Sequence, residues 1–407
     1  MRTFVMVRPM TALVTCGHTR AGLAAVRSLG RAGNAVAVGA PMRPALAMWS
    51  RYATSTTLLP DPANAARPFV DAVNEQALGR DAQVVLSGTD SALWALSRWR
   101  EDLPDETHRI LPPHDAVARS LDRTTLHDLA ASVGIDCVPL LRVDATQGVE
   151  PALRDAKRLG LPATVYPLVP WVERADGTRR MMAAEKVETI AELRRLLYDR
   201  EDLVDAGCLI EPHPRGRTLA YGSLWHQGEP VAEVFQEHFR EKDAHSGVST
   251  SAETLQPDGE LRRAGRRLLE ALQWNGPAFV EFLRTDSGEL KLKLIVGRLW
   301  NSVHLAINAG VDIPLMLYRL AMGEERRPVL QVAKPGVRFR WVVGDAQAVM
   351  HVARGKSVGT MRKRLRVLMD VLDPRDLLHF DTDVMDKDDP MPFVYEVQHM
   401  VQAFRHG

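Results

Sequence analysis

The run TALVTCGHTRAGLAAVRSLGRAGNAVAVGA at residues 11–40 constrains the fold more than any other stretch of the chain. An apolar strand passes through a glycine-containing turn into a segment with Leu23, Val26 and Leu29 at helical spacing; Gly33 stops it and a second apolar strand follows. Strand, helix, strand in that order needs a crossover, and a crossover joins parallel strands. A further strand, QVVLSG at 83–88, ends in the polar turn Gly88-Thr89-Asp90 before the helical SALWALSRW. Open parallel sheets gather ligands at the carboxyl ends of their strands, so Asp90 is a candidate substrate contact. The glycines at 17, 22, 30 and 33 do not fit G-x-G-x-x-G, and a dinucleotide site is not expected.

The rest of the chain is more than one core can use. Its 407 residues, 45% apolar, are enough for two or three compact units. The 52 basic and 51 acidic side chains leave a formal charge of +1, so the balance calls for neither nucleic acid nor an anionic membrane, and the expected partners are small molecules or proteins. Cys16, Cys137 and Cys208 are odd in number, far apart and set in apolar runs, as buried thiols of a reducing compartment would be. No cleavage site follows the short N-terminal apolar run interrupted by Arg8, and no run approaches the roughly 18 apolar residues of a membrane span. A cytoplasmic protein is expected.

After the helical segment 114–134 and a strand at 136–143, a second region begins. It comprises a helix at 150–160, the strand ATVYPLV, a polar loop WVERADGTRR, the strand MMAAEKV and the helix TIAELRRLLYDR. Two strands backed by a helix make a small sheet able to act as a lid. GCLIEPHP then leads into the strands TLAYGSLW and EPVAEVFQEHFRE, the helix GELRRAGRRLLEALQW, and the pair GPAFVEFLRT and ELKLKLIVG, an antiparallel sheet with a helix on one face. The tail predicts a strand RFRWVVG, two helices and an acidic segment FDTDVMDKDDPMP. Asp381, Asp383, Asp386, Asp388 and Asp389 lack the central glycine and terminal glutamate of a calcium loop, and a solvated loop is expected. His213, His226, His238, His245 and His304 have no zinc spacing, which leaves them surface or core roles.

In this order the pieces resemble the ATP-grasp superfamily, specifically the carboxylate-amine ligases related to the carbamoyl-phosphate synthase large subunit. The resemblance runs from about residue 11 to about residue 325. It is carried by LVTCGHTRAGLAAVRSLGRAG, SRYA, SGTDSALWAL, LDRTTLHDLAASVGIDCVP, HFREKDAHSGVSTSAETL, WNGPAFVEFLRTDSGELKL and GRLWNSVHLAINAGVDIP. It implies an N-terminal α/β domain at 1–113, a helical linker and strand at 114–145, a lid at 146–207, a large antiparallel lobe at 208–330 and a C-terminal extension at 331–407. ATP would lie between the lid and the large lobe and activate a carboxylate to an acyl phosphate for attack by an amine.

Such phosphoryl transfer leaves the protein mainly to position groups and neutralise charge. In the family this takes two lid lysines, and magnesium held by a carboxylate on one strand and a Glu-x-Asn pair on the next. Laid on this chain without a gap, the segment Glu-Ile-Asn-Pro-Arg falls on Leu294, Ile295, Val296, Gly297 and Arg298, and the first lid lysine falls at Tyr166. Apolar side chains cannot replace oxygen ligands. What the resemblance leaves is Lys186 as the second lid lysine, Glu281 as the first metal ligand, Glu211 as the hinge acid toward adenine or ribose, Arg123 in a lysine's place, and Arg240 and Arg298 toward phosphate or substrate. Lys186 could instead be a solvated strand-end lysine, Glu281 could serve a structural salt bridge, and Arg240 and Arg298 could each pair with a neighbouring acid. Ser302, beside Trp300, is a candidate substrate contact. Two functions stay open. One is a degenerate ligase that binds a small carboxylate or nucleotide, or a partner such as a catalytic homologue or a second copy of itself. The other is an active ligase using ATP and magnesium at a rebuilt site.

Overall fold

The computed structural model describes residues 11–79, 82–144, 146, 148–168, 171–173, 179–181, 184–213, 215–241, 248–324, 328–353 and 381–406. The chain opens with β1 (Thr11–Val14), α1 (Arg20–Arg31), β2 (Ala35–Ala40), β3 (Ser55–Leu58), α2 (Ala66–Gly79), β4 (Ala82–Leu86) and α3 (Asp90–Arg98). The strands form a parallel sheet in the order β3-β2-β1-β4. The expected crossover is there, and the third strand in sequence is Ser55–Leu58, so QVVLSG supplies the fourth. STTL is short, polar and half exposed, which is why its pattern did not read as a strand. Thr19 and Thr89 cap α1 and α3 by accepting backbone N–H bonds, and both caps lie just past the carboxyl ends of the paired strands β1 and β4. Gly22 lets α1 settle on β1: a Cβ there would lie 2.1 Å from the Cys16 carbonyl oxygen.

Helices α4 (Asp105–His108), α5 (His114–Leu121) and α6 (Arg123–Ser132) lead to a small antiparallel sheet of β5 (Leu141–Val143), β6 (Ala163–Pro167), β9 (Glu185–Val187) and β10 (Cys208–Pro212), in the order β5-β10-β6-β9. Helices α7 (Val149–Leu159), α8 (Ile190–Asp199) and α9 (Glu201–Asp205) accompany it, and α7 packs on α8. The presumed polar loop includes a hairpin of β7 (Trp171–Glu173) and β8 (Arg179–Met181). Residues 174–178 of that loop lie outside the described residues.

The large sheet runs β15-β14-β11-β12-β13-β17-β18, with β16 beside β12. Its strands are β11 (Gly216–His226), β12 (Glu229–Glu241), β13 (Ser249–Thr254), β14 (Gly276–Thr285), β15 (Leu290–Val296), β16 (Gln331–Val332), β17 (Arg338–Arg340) and β18 (Asp381–Thr382). Helix α10 (Gly259–Ala271) buries Leu261, Leu268 and Leu269 against it, and α11 (Val303–Asn308) and α12 (Ile313–Ala321) follow β15. The strand expected at RFRWVVG stops at Arg340, where α13 (Val342–Ala353) begins, and α14 (Met391–His406) ends the fold.

The acidic segment is only partly solvated: Asp381 and Asp388 are exposed as expected, and the other three aspartates are not. Asp383 and Asp389 are only 3% and 1% exposed. Arg20 pairs with Asp383, Arg31 with Asp386, and Arg27 with Asp389 at 2.9 Å. Arginines at 20, 27 and 31 share one face of α1, so three cations there receive three carboxylates.

Candidate functional site

A cavity of about 1020 Å³ collects most of the residues singled out in the sequence. One wall is the small sheet. Register pairs Lys186 with Thr164 and Thr164 with Glu211, so these three form a row across β9, β6 and β10. Tyr166 stands two residues further along β6, on the same face of the pleat. Lys186 is no solvated strand-end lysine: its side chain is 2% exposed and its Nζ lies 2.6 Å from a Glu188 carboxylate oxygen.

Arg123, the second residue after the Leu121 end of α5 and the first of α6, reaches into this wall. It donates to the buried Glu211 carboxylate at 2.5 Å, and its guanidinium carbon lies 3.9 Å from the centre of the Tyr166 ring. Phenol, guanidinium and carboxylate thus form one assembly. Burial pushes the Tyr166 hydroxyl above its ordinary pKa, and the Glu211 charge pushes it the same way. The phenol stays neutral and supplies no cation in the position of a lysine.

The opposite wall is the edge of the large sheet. Glu281 on β14 pairs in register with Leu294 on β15, and Val296 pairs with Phe279. A bulge interrupts this ladder, because Phe282 pairs with Leu292; Lys293 is the extra residue. Its ammonium lies 3.7 Å from Glu281. Beyond the strand, Gly297 passes so close to Trp274 that a Cβ would meet the ring at 2.5 Å. Arg298 then donates to Asp90 through Nε at 3.0 Å and Nη2 at 3.2 Å, joining the large sheet to the capped end of α3. Ser302 donates to Gln236 at 3.0 Å.

His238, Phe279 and Trp300 stack behind Glu281, with ring centres 5.7 and 5.0 Å apart. Burial lowers the pKa of His238; the Glu281 charge opposes this, and Lys293 and Arg20 add to it. The imidazole is therefore neutral. Its Nε2 and the Trp300 indole N–H are buried and find no hydrogen-bond partner among the described residues, although both rings line the cavity. An indole N–H can only donate, so this wall is set for a ligand with acceptor atoms.

Of the anticipated residues Arg240 is the exception. It is not among those lining the cavity, and Asp345 of α13 holds it through Nε and Nη2 at 3.3 and 3.0 Å while also accepting from Arg340 at 2.5 Å. Arg20 and Lys293 line the cavity, and neither was singled out from sequence. The lysine was hidden because alternation assigns neighbours on a strand to opposite faces, and a bulge is invisible to that rule. Among the described lining residues, Arg20, Arg123, Lys186, Arg215, Lys293 and Arg298 outnumber Asp90, Glu211 and Glu281. A larger, more open groove of about 1190 Å³ near Arg109, His226 and Trp274 contains none of the residues singled out as ATP-grasp site positions.

The donor set on β14 and β15 does not fit magnesium: Glu281 brings a carboxylate, but Leu294 stands directly opposite it and Val296 follows two residues later. Among the described residues no group of three His, Cys, Asp or Glu could hold a metal ion. A dication on Glu281 would also meet the Lys293 ammonium. At about 4 Å that repulsion is about 4 kcal/mol per unit of ion charge at an effective dielectric near 20.

No sequence-family model matches the chain, and no curated protein sequence does. Solved structures do match. Staphylococcus aureus N5-carboxyaminoimidazole synthetase complexed with ADP is 15% identical with a TM-score of 0.62, over 85% of this chain and 86% of that one. The biotin carboxylase domain dimer of Hydrogenobacter thermophilus 2-oxoglutarate carboxylase, bound to magnesium-ADP and bicarbonate, gives 14% and 0.59, over 79% and 71%. Bacillus licheniformis L-amino acid ligase gives 16% and 0.55, over 79% and 78%. In the described residues no helix is long and apolar enough to cross a membrane. With a parallel N-terminal sheet, a small antiparallel sheet and a large antiparallel sheet around one cleft, the chain has the ATP-grasp fold of the carboxylate-amine ligases.

Proposed function

We propose that the chain is an ATP-grasp protein in which ATP-dependent carboxylate-amine ligation is lost or strongly reduced, and which acts by binding an anionic small molecule or a partner. The small sheet is its lid and the cavity its binding cleft. The observation that carries this reading is the pairing of Glu281 with Leu294, with Val296 beyond it, where a phosphoryl-transfer centre needs oxygen ligands. Tyr166, carrying Arg123 on its ring, removes a second requirement, a lysine on that lid strand. Each tenfold loss in rate corresponds to about 1.4 kcal/mol of transition-state stabilisation, and losing a phosphate cation and two metal ligands together costs several such factors even if their effects overlap.

The second reading, an active ligase, draws on the buried Lys186 ammonium, Glu281 and Arg298, all at the cavity wall. Two measurements separate them: ADP release from ATP and magnesium with mixed amino acids as acceptors, and thermal stabilisation by the same mixture. The proposed function requires turnover well below about 0.1 s⁻¹, far under the typical enzyme median. Turnover at 1 s⁻¹ or more, with a magnesium-dependent stabilisation that disappears in Glu281→Ala, would establish the ligase.

A further inference from the structure

Resting on the proposed function and deepening it, we propose that Lys293 is the resident cation of the cleft. Its ammonium takes the place a divalent ion would need, so the cleft binds a phosphate-bearing, nucleotide-sized ligand without metal. The bulge at Phe282 and Leu292 brings this lysine to the cavity, where its ammonium stands 3.7 Å from Glu281. Glu281 stands beside the ammonium as it would beside a metal, and an ammonium, with three donors and no acceptor, is a group from which a phosphate oxygen accepts. Leu294 and Val296 beside it cannot contribute oxygens, so the charge that meets the ligand comes from the polypeptide.

Three further observations point the same way. The indole N–H of Trp300 and Nε2 of His238, both buried at the cavity wall, lack partners among the described residues; an acceptor oxygen would satisfy the indole. Basic side chains outnumber acidic ones around the cavity, which favours an anion. The cavity, at about 1020 Å³, has room for a nucleotide, and the Arg123 guanidinium on the Tyr166 ring offers a flat face for a base. A polyphosphate would thus meet ammonium and indole at one wall, with the base toward the small sheet.

The test is calorimetric titration of the intact protein with ADP and with ATP, in EDTA and again in excess magnesium. Wild type is expected to bind at least one nucleotide in EDTA with a dissociation constant within twofold of that in magnesium. Lys293→Met, which keeps the aliphatic stem, is expected to weaken binding in EDTA at least tenfold with an unchanged ligand-free melting temperature. Lys293→Arg is expected to restore most of it. Binding that tightens tenfold with magnesium, an unaffected Lys293→Met protein, or no heat with either nucleotide in either buffer would each overturn the inference. The proposed function is judged separately by ADP release. Absent turnover with an unaffected Lys293→Met protein defeats only the lysine assignment, whereas magnesium-driven turnover at ordinary enzyme rates defeats both.

Discussion

At the scale of single residues, the register of β14 against β15 decides what the cleft can hold. Leu294→Glu with Val296→Asn places a second carboxylate directly across from Glu281, where paired Cβ atoms lie about 5 Å apart. The double variant is expected to melt lower than wild type in EDTA, because like charges face each other across the ladder. Millimolar Mn²⁺ is expected to reverse this in the variant and leave wild type unchanged, adding about 2.7 kcal/mol at a hundredfold excess over the dissociation constant. A variant indifferent to Mn²⁺ would show that the two positions do not converge. Histidine supplies a second prediction. His304 is buried and His238 is half-buried with its Nε2 enclosed, and both have pKa values lowered from 6.5, chiefly by desolvation. The folded state then binds fewer protons than the unfolded state, so this contribution is complete above about pH 6.5 and declines as pH falls below it. Urea midpoints are expected to drop between pH 7 and pH 5, and less so in a folded His304→Gln protein. The sequence singled out Glu281, Leu294 and Val296 because motif spacing survives substitution, and the register sets Glu281 opposite Leu294. The sequence did not reveal Lys293, whose direction depends on a bulge, or the neutral state of His238, which depends on what surrounds it.

At the scale of elements, α1 is the hub. Its N-terminal residue Arg20 lines the cleft, lies 4.0 Å over the Trp341 ring and pairs with Asp383, while Arg27 and Arg31 hold Asp389 and Asp386. Composition alone made residues 381–389 look solvated, since carboxylates pay a large desolvation cost unless paired. The pairing is at long range, between residues more than 350 positions apart, and no local pattern announces it. Arg27 also donates to the Asp383, Val384 and Asp389 carbonyls, so its guanidinium satisfies the turn as well as the charge. Arg27→Met is expected to destabilise the protein by about 3–5 kcal/mol in chemical denaturation, because Asp389 stays buried with its charge unmatched. Arg27→Met with Asp389→Asn is expected to recover part of that loss. If the single variant costs under about 1 kcal/mol, the segment is a surface appendage after all. Burial pushes the Asp386 carboxyl up, yet the Arg31 hydrogen bond, the Asp388 amide and the charges of Arg27 and Arg31 outweigh it and hold the pKa below the ordinary value. Its contribution is present above the ordinary carboxylate range and fades as pH falls through it.

At the scale of the whole molecule, the distribution of cores separates units that share an interior from one that has its own. The N-terminal sheet and the large sheet share their apolar interior: Val14 and Leu86 cluster with Leu224 and Phe279, and Leu13 and Val85 with Tyr221 and Phe282. The small sheet has its own core, built of residues such as Val165, Leu193, Leu197 and Ile210. Two units with a common core must open together, whereas a unit with a private core can open alone. The strands ATVYPLV and MMAAEKV backed by the helix TIAELRRLLYDR foretold a small sheet, but not the polar contact that ties it to the larger body. That contact is Arg123, carried by α6, which packs on β15 and α10 of the larger body. It reaches across to Glu211 and the Tyr166 ring on the small sheet. Hydrogen exchange is therefore expected to find β6, β9 and β10 less protected than β11 and β14, with the small sheet exchanging as one unit. Arg123→Ala leaves Glu211 buried without its guanidinium and removes the stack. It is expected to raise exchange throughout β6 and β10 by at least tenfold while leaving β11 and β14 unchanged. Equal loss of protection in both sheets would mean that Arg123 supports the common core. Unchanged exchange in the small sheet would mean that its apolar contacts hold it without the tie.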